Sequence, residues 1–307
     1  MLNMMACGTA SASRGGAGWT EDTWRALDRQ ARDEAYACSD EAAMRARIVP
    51  FARRVLRSYS SNFYVVTRFL TAPKRADVEV LYANVRYPDE VVDTFPLEPG
   101  ERVSRLDTWS RHYEEALSLG SIRNVLDHGG PVMLAALTEL LRRHHINPDY
   151  YRSFLQAMYM DVRPRTFASM EDLIESYVYG SAIVVGYLLA HAFGPSAPDE
   201  MPRALRSARA LGIGLQLTNF ARDAGEDLER GRIYLPMDIL AAEGITSVDS
   251  RNPEHRLALG RAAKRVAAIA RDYYAAARSD IDAFAADSQT AIRACMDTYE
   301  LLNEHVE

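Results

Sequence analysis

The chain has 307 residues, of which 48% are hydrophobic and 25% are charged, as in an ordinary soluble globular protein. Its formal net charge of -6 argues against the basic surface that a nucleic-acid partner would require. The three cysteines, Cys7, Cys38 and Cys295, have neither metal-site spacing nor the pattern of a disulfide framework, so we expect a reducing, cytoplasmic compartment.

The N-terminal segment is rich in Ala, Gly and Ser and lacks the basic and apolar regions of a secretory signal. We therefore predict a disordered leader over residues 1–19 and one large domain over residues 20–307. The sequence contains no strand-like alternation of useful length, no repeat and no Gly- or Pro-rich linker. The predicted fold class is all-α, a single-domain helical bundle.

The predicted helices follow one another along the chain, because apolar residues recur at three- and four-residue spacing. Their predicted ranges are 24–37, 41–58, 74–93, 102–117, 132–144, 148–159, 202–224, 253–277 and 280–303. One more apolar helix is predicted between the ranges 148–159 and 202–224. It begins with Ser169 to Asp172, a sequence that resembles a capping box.

That additional helix carries no Asp, Glu, Lys or Arg from Ser176 to Pro198, so it is a candidate membrane span. It contains Tyr177, Tyr179 and His191, and a helix that is apolar on all sides also occurs in the core of large α-proteins. We favour the core helix over the membrane span.

An acidic cluster ends the predicted helix 74–93, with the sequence Arg86-Tyr87-Pro88-Asp89-Glu90-Val91-Val92-Asp93. Residues four apart stack on one helix face, so Asp89 and Asp93 repel each other unless a cation lies between them. Mg²⁺ is the natural candidate, because it takes carboxylate, water and phosphate oxygens. Pro88 is predicted to bend the helix.

A second acidic cluster ends the predicted helix 202–224. Gln216, Asn219, Asp223 and Asp227 follow one another at steps of three, four and four, which forms one polar stripe on an otherwise apolar helix. A solvated face is usually rich in Lys and Glu, so the stripe favours a functional site. The nearby cations and the hydroxyl of Tyr234 point to an anionic ligand, a diphosphate, and the cations are Arg86, Arg222, Arg230 and Arg232.

Two weaker segments each allow two interpretations. The hydroxyl and amide groups of Ser60, Asn62 and their neighbours either bind phosphate oxygens or begin an ordinary helix. The small residues between Tyr177 and Gly186 either leave room for a long apolar ligand or let two helices pack closely. By itself, close packing is the favoured interpretation of the second segment.

Taken together, these motifs resemble the squalene/phytoene synthase family, and bacterial phytoene synthases most closely, in order and spacing from about Ser58 to Tyr299. The matching segments are Leu81-Tyr82-Ala83-x-x-Arg86-x-x-Asp89-Glu90-x-x-Asp93, Tyr177-Val178-Tyr179-Gly180-Ser181-Ala182 and Gln216-Leu217-Thr218-Asn219-x-x-Arg222-Asp223-x-x-Glu226-Asp227-x-x-Arg230-Gly231-Arg232-Ile233-Tyr234-Leu235-Pro236.

The resemblance implies an isoprenoid-synthase bundle with a central cavity, bound Mg²⁺ or Mn²⁺, and prenyl diphosphate substrates in isoprenoid or carotenoid biosynthesis. It implies head-to-head condensation of two prenyl diphosphates through a cyclopropyl intermediate. The implied metal ligands are Asp89, Glu90, Asp93, Asn219, Asp223 and Asp227. The implied catalytic residues are Asp89, Asp93, Asp223, Asp227, Tyr82 and Tyr234. The implied substrate-binding residues are Arg86, Ser60, Asn62, Phe63, Tyr179, Ala182, Gly186, Gln216, Asn219, Arg222 and Arg232.

Two departures from the family pattern keep an alternative open. No lysine lies near Ser61, and the sequence ends soon after Tyr299, where most members continue with an arginine-containing tail. Both predict a weaker site for the second diphosphate, as in a prenyltransferase that alkylates an aromatic acceptor. A second alternative is a non-catalytic helical lipid-binding protein, against which the joint presence of both acidic motifs argues. NADPH use, oligomeric state and peripheral membrane contact stay open.

Overall fold

The computed structural model describes residues 19–245 and 252–306. The chain is 81% helical, and its described part contains no strand, only an isolated antiparallel bridge between Pro195 and Phe284. The all-α prediction is confirmed. Of the predicted leader, only Trp19 lies among the described residues, so the rest of that prediction falls outside them.

The described residues form two compact units, 19–158 and 159–306, and each is described by itself. The N-terminal unit is built from α1 Glu21–Tyr36, α2 Glu41–Tyr59, α3 Ser61–Thr67, α4 Ala72–Asp93, α5 Pro99–Leu119, α6 Ile122–Asp127, α7 Val132–Arg143 and α8 Asp149–Val162, whose last turn crosses the unit boundary.

Local sequence signals start these helices as expected. Thr20 and Asp40 cap α1 and α2, each accepting a hydrogen bond from the backbone N–H three residues later, at 3.2 and 2.8 Å. Such caps contribute about 1 kcal/mol each. Gly120 ends α5 with a left-handed φ of 69°, a conformation that glycine adopts without steric cost.

Helix α4 packs against α2, α5 and α7, and almost every residue from 77 to 92 is buried. It continues through Pro88 to Asp93 without ending. Proline has no N–H, so the carbonyl of Asn84 lacks its usual helical donor. The hydroxyl of Tyr151 donates to this carbonyl at 2.7 Å, and the indole N–H of Trp109 donates to Tyr151 at 2.8 Å.

An aromatic cluster joins Trp19, the first described residue, to α1 and α2. Trp19 packs against Trp24, Phe51 and Tyr59, with ring centroids 5.4, 6.4 and 5.8 Å away. Its backbone N–H also donates to the Tyr59 hydroxyl at 3.1 Å. Trp19 therefore belongs to the packed part of the chain, although the predicted leader included it.

The C-terminal unit is also helical. Its elements are α9 Met170–Leu173, a π-helix Ile174–Ile183, α10 Val184–Phe193, a 3₁₀ turn Pro198–Glu200, α11 Met201–Glu229, α12 Met237–Ala242, α13 Pro253–Ser279, a 3₁₀ turn Ile281–Ala283 and α14 Ala286–Val306.

Helix α11 is the central element of this unit and packs against α10, α13 and α14. Gly214 allows the ring of Tyr274 to approach so closely that a Cβ there would lie 3.1 Å from it. The hydroxyls of Tyr274 and Thr218 lie 2.8 Å apart, and Thr218 also donates to Asn303 at 3.1 Å. These contacts fix the position of α11, and with it the second acidic stripe.

Two helix boundaries differ from the prediction by five residues or more. Helix α11 does not end at Ala224 but continues through Gly225 to Glu229, because one exposed glycine costs only about 1 kcal/mol in a helix. It ends at Glu229, and Gly231, with a φ of 74°, follows the capping residue Arg230. The last helix begins at Ala286, and the six residues before it contain a 3₁₀ turn.

Most of the charge-free segment belongs to one continuous helical run, Met170–Phe193. The hydroxyl of Ser169 caps this run by accepting a hydrogen bond from the N–H of Asp172 at 3.2 Å. The run is long and apolar enough to cross a membrane, but 67% of its most apolar stretch is buried inside the protein. This burial supports the predicted core helix.

Candidate active site

The first acidic motif occupies the last turns of α4, and its carboxylates have different surroundings. Asp89 and Glu90 are buried, whereas Asp93 is exposed. Arg86 pairs with Asp89 at 3.1 Å and also with Glu90, while its guanidinium lies 4.3 Å above the ring of Tyr59. Glu90 thus has an internal cation as its partner, although its Oε2 atom has no hydrogen-bond partner among the described residues, and its role as a metal ligand stays a prediction.

The electrostatics of Asp89 reflect this mixed environment. Burial raises the pKa of Asp89 to about 6, Arg86 opposes the rise, and the nearby Asp93 adds to it. The carboxyl is therefore partly protonated near neutral pH until a further cation joins it. A divalent ion at Asp89 and Asp93 would supply that cation.

The aromatic residues predicted beside the first motif form a buried pair. Tyr82 and Phe63 have ring centroids 6.1 Å apart, and both side chains are almost fully buried. The hydroxyl of Tyr82 is buried without a hydrogen-bond partner among the described residues. A buried polar group without a partner is unusual and marks a place where a ligand would provide one.

The predicted phosphate-binding segment around Ser60 begins helix α3. The buried hydroxyl of Ser60 accepts a hydrogen bond from the N–H of Phe63 at 3.3 Å, so it acts as a helix cap. Asn62 is exposed in the first turn of the same helix. Of the two interpretations of this segment, the structure shows the start of an ordinary helix. Phosphate binding by Ser60 and Asn62 stays a prediction.

The second acidic motif forms the predicted stripe on α11. Gln216 and Asn219 are buried, and Asp223 and Asp227 continue the stripe toward the more accessible end of the helix. The side-chain oxygen of Gln216 and both polar atoms of Asn219 have no hydrogen-bond partner among the described residues. Three unpartnered polar atoms on one buried stripe indicate a site that a bound group would complete.

Charges at the end of α11 are only partly balanced. Arg222 forms two hydrogen bonds to its chain neighbour Asp223, at 2.7 and 2.6 Å, so this arginine is already held by a predicted metal ligand. Burial and the Asp223 carboxylate raise the pKa of Asp227 to about 7, while Arg232 opposes the rise. Asp227 is the carboxyl in this stripe that an added cation would affect most.

A hydrogen-bonded aromatic cluster lies beside Asp227, and the sequence analysis missed its centre, Asp161. This carboxylate accepts from the hydroxyl of Tyr177 at 2.7 Å and from that of Tyr234 at 2.9 Å. The ring of Tyr234 stacks on Phe220 with centroids 4.6 Å apart. Asp161 lies in the last turn of α8, beyond the predicted helix 148–159, and no spacing pattern marks it.

The segment Tyr177 to Gly186 combines a π-helix with small residues. π-Helical turns are rare and occur often at functional sites. Tyr179 is half-buried on this segment. A Cβ at Gly186 would lie 2.9 Å from the backbone oxygen of Ala208, and one at Gly212 would lie 3.2 Å from that of Ala182. The small residues thus allow this segment to pack closely on α11. Contact between these residues and a prenyl chain stays a prediction.

Comparison with known proteins decides the family. The family described as squalene/phytoene synthase matches residues 56–307. A 15-cis-phytoene synthase of Pantoea ananas is 31% identical over 252 residues, which cover 81% of this chain and 79% of that protein. The chain belongs to the squalene/phytoene synthase family.

Solved structures support the same fold. The squalene synthase HpnC from Alicyclobacillus acidocaldarius superposes with a TM-score of 0.71 at 22% identity, over 89% of this chain and 97% of that one. A dehydrosqualene synthase in complex with a ligand gives a TM-score of 0.66 at 20% identity, over 85% and 86% of the two chains. This squalene/phytoene synthase family member is therefore a prenyltransferase-type enzyme, and the non-catalytic lipid-binding alternative is set aside.

Members of the family in general depend on divalent metals, and the oxygen atoms of the acidic motifs are the groups that could bind one. No three carboxylate, imidazole or thiol groups of the described residues converge on one point. Mg²⁺ commonly takes only one or two carboxylates, and water and substrate phosphates complete its coordination. The unpartnered oxygens of Gln216 and Asn219, with Asp223 and Asp227, are donors of the kind that Mg²⁺ binds.

Proposed function

We propose that this protein is a Mg²⁺-dependent enzyme that condenses two prenyl diphosphates head-to-head, through a cyclopropyl diphosphate intermediate. One observation carries the proposal: a polar stripe on the buried helix α11, with an unpartnered side-chain oxygen at Gln216 and an unpartnered amide at Asn219, continues into Asp223 and Asp227. Buried polar atoms without partners are destabilising unless a ligand uses them. NADPH gains no support from the comparisons and is not part of this proposal.

The acidic motifs would bind the diphosphate as its metal complex. Mg²⁺, when bound, supplies Lewis-acid stabilisation of the diphosphate leaving group. In the N-terminal unit we assign Asp89 and Asp93 on α4 to bind Mg²⁺. In the C-terminal unit we assign Asn219, Asp223 and Asp227 on α11 to this role. Arg232 adds positive charge near Asp227, where it stabilises the anionic diphosphate oxygens.

Loss of the diphosphate leaves an allylic carbocation, which water would destroy. The stacked rings of Phe220 and Tyr234, with Tyr177 at 5.3 Å from Tyr234, present aromatic faces that stabilise cations. Asp161 fixes both tyrosine hydroxyls, so these rings hold their orientation while charge develops. In the N-terminal unit, the unpartnered hydroxyl of Tyr82 is the group that we assign to contact substrate.

The test is a product assay. Purified protein is incubated with Mg²⁺ and either farnesyl or geranylgeranyl diphosphate, with EDTA as the control, and the organic extract is analysed by mass spectrometry. We expect a thirty- or forty-carbon hydrocarbon, or its cyclopropyl diphosphate, only when Mg²⁺ is present. Absence of any coupled product from both substrates would contradict head-to-head condensation.

Two variants and one control test whether the proposed metal ligands are needed for turnover. Asp93→Asn and Asp223→Asn remove one charge from each motif, and we expect each to lower turnover by about a thousandfold or more. Asp33→Asn removes an exposed carboxylate of α1 and should leave turnover unchanged. If both motif variants kept full activity, the assignment of the metal ligands would be wrong.

A second candidate is transfer of one prenyl group to an aromatic acceptor. One observation favours it: Arg53 of α2 and Arg68, which directly follows α3, both pair with the fully buried Glu79. Cations held in this way are less available to a second diphosphate. Turnover that depends entirely on an added aromatic acceptor, with no coupled hydrocarbon, would select this candidate over condensation.

A further inference from the structure

A cavity lies in the N-terminal unit, and none of the carboxylates of the first acidic motif lines it. Its volume is about 450 Å³, and it is lined by one face of α1 and by residues of α2, α4, α5 and the start of α7. Small-molecule sites typically enclose roughly 300–1,000 Å³. The cavity is therefore large enough for an organic molecule and too large for a single inorganic anion to fill.

The inner wall of this cavity is aromatic. Trp24, Phe51, Tyr87 and Trp109 all line it. The ring centroid of Tyr87 lies 5.4 Å from that of Trp24 and 4.3 Å from that of Trp109. Continuous aromatic faces of this kind suit a flat or unsaturated apolar group, because they offer both apolar area and stacking.

The rim of the cavity is cationic. Four arginines and the two carboxylates of Glu21 and Asp28 line the cavity, so its formal charge is two units positive when His112 is counted as neutral. The arginines are Arg25, Arg29, Arg32 and Arg105. Glu21 is already bound by two of them, at 2.6 Å from Arg25 and 2.9 Å from Arg105. The charge that remains at the rim favours an anionic group.

This cavity is distinct from the first acidic motif although one helix carries both. Tyr87 and Asp89 are two positions apart on α4, which places them about 200° apart around the helix. The cavity also contacts the hydrogen-bond chain that supports α4 at Pro88, since Trp109 lines the cavity and donates to Tyr151. A molecule bound here would act on the helix that carries Asp89 without occupying the same face.

We propose that this cavity binds an organic anion that combines one anionic group with a flat apolar body. The aromatic wall selects the body, and the arginine rim selects the charge. Inorganic phosphate satisfies only the rim, and a neutral hydrocarbon satisfies only the wall. The proposal is independent of the reaction that the enzyme catalyses.

The probe is 8-anilinonaphthalene-1-sulfonate, an aromatic sulfonate of this class. The chain has three tryptophans, and two of them line the cavity, so energy transfer from tryptophan to the probe reports binding close to it. We expect saturable binding of one probe per chain, confirmed by calorimetry. The neutral analogue N-phenyl-1-naphthylamine should bind about tenfold more weakly, because it lacks the charge-assisted contact.

Three variants locate the probe. Arg29→Gln removes an exposed rim charge and should raise the probe Kd about fivefold, and Thr108→Phe narrows the cavity and should raise it at least about tenfold. Arg47→Gln removes an exposed arginine of α2 that does not line the cavity, and its Kd should stay unchanged. Circular dichroism checks that each variant is folded.

Two results would overturn the proposal. The first is an unchanged probe Kd in Arg29→Gln together with Thr108→Phe. The second is competitive displacement of the probe by farnesyl diphosphate with Mg²⁺, which would place it in the prenyl diphosphate site instead. Because both results concern binding alone, they leave the proposed condensation to be decided by its own product assay.

Discussion

The two acidic motifs differ in how far the protein itself satisfies their charges. On α4, Arg86 lies between Asp89 and Glu90, and Glu90 is fully buried in this pairing. On α11, the buried part of the stripe consists of the neutral Gln216 and Asn219, and the oxygen of Gln216 and both polar atoms of Asn219 have no partners among the described residues. Arg86 thus balances buried charge in the first motif, although Oε2 of Glu90 and Nε of Arg86 have no hydrogen-bond partner among the described residues. The buried part of the second motif is neutral, and three of its polar atoms have no partner there.

This difference separates stability from function. Where a buried carboxylate has an internal cation, its removal disturbs the fold, because the cation is left behind. Where a buried amide has no partner, its removal costs the fold little, and the loss appears only when a ligand binds. The two motifs should therefore respond to substitution in opposite ways.

The largest effect is expected for Asn219→Leu on α11. Leucine is similar in volume and needs no hydrogen bond, so the free energy of unfolding should stay the same or rise. The kcat/KM for prenyl diphosphate should fall about a hundred- to thousandfold, which corresponds to about 3–4 kcal/mol. Chemical denaturation and the product assay, run on the same preparation, measure the two quantities.

Asn303→Leu is the matched control for that substitution. Asn303 is also a buried asparagine of the C-terminal unit, but its amide donates to the Ala267 carbonyl at 2.8 Å and its oxygen accepts from Thr218 at 3.1 Å. We expect Asn303→Leu to lower the free energy of unfolding by about 1–3 kcal/mol. Equal destabilisation by both substitutions would show that Asn219 is a structural residue.

A somewhat smaller effect, of the opposite kind, is expected for Glu90→Gln on α4. The substitution leaves Arg86 with Asp89 as its remaining carboxylate, so we expect a loss of about 2–3 kcal/mol in the free energy of unfolding. Asp93→Asn, at the exposed position one turn away, should change this quantity by less than about 0.5 kcal/mol. Similar urea midpoints for the two variants would argue against internal compensation of the first motif.

Much of this contrast could not be read from the sequence. The spacing of Asp89 and Asp93, and that of the stripe on α11, predicted which residues share a helix face, because helix geometry fixes that relation. The spacing did not distinguish Glu90, which is buried, from Asp93, which is exposed. That distinction depends on which neighbouring helix covers each residue.

Other features were missed because they depend on contacts between distant or unusual positions. Asp161 serves Tyr177 and Tyr234, which lie 16 and 73 positions further along the chain. Arg222 pairs with its immediate neighbour Asp223, although adjacent helical residues do not normally face each other. The long helices, whose apolar periodicity is local, were predicted well except for the end of α11 and the start of α14, whereas the short helices α6 and α12 were not predicted.

A third effect, about 2 kcal/mol, should appear in the pH dependence of stability without Mg²⁺. The pKa of Asp227 is about 7 in the folded chain and near 4 in an unfolded one, so the folded state binds the proton more tightly. The free energy of unfolding should therefore fall as pH rises from 4 to 8, and Asp227→Asn should remove about 2 kcal/mol of this fall, allowing for partial exposure.

The measurement is a series of denaturation curves in EDTA between pH 4 and 8 for the protein and for Asp227→Asn. The difference between the two free energies of unfolding is the relevant quantity, because other carboxyl groups titrate in both. Glu226→Gln, at an exposed position of the same helix, is the control. A constant difference across the pH range would contradict a raised pKa for Asp227.

The smallest effect concerns the support of α4 at Pro88, where Tyr151 supplies the hydrogen bond that proline cannot. Tyr151→Phe leaves the Asn84 carbonyl and the Trp109 N–H without this partner, so we expect a loss of about 1–2 kcal/mol in the free energy of unfolding. Pro88→Ala restores a backbone N–H that can bond the same carbonyl. In the Pro88→Ala background, Tyr151→Phe should therefore cost about 1 kcal/mol less, a coupling that a double-mutant cycle measures.

Tyr113→Phe distinguishes this coupling from the general cost of removing a buried phenol. Tyr113 is also fully buried in the N-terminal unit, and its ring packs on that of Tyr151 with centroids 4.8 Å apart. Its hydroxyl, however, donates at 2.9 Å to the carbonyl of Pro148 and not to that of Asn84. Its cost should be the same with and without the Pro88→Ala substitution. If Tyr151→Phe were equally insensitive to Pro88→Ala, the hydroxyl of Tyr151 would only fill space, and the continuity of α4 would need another cause.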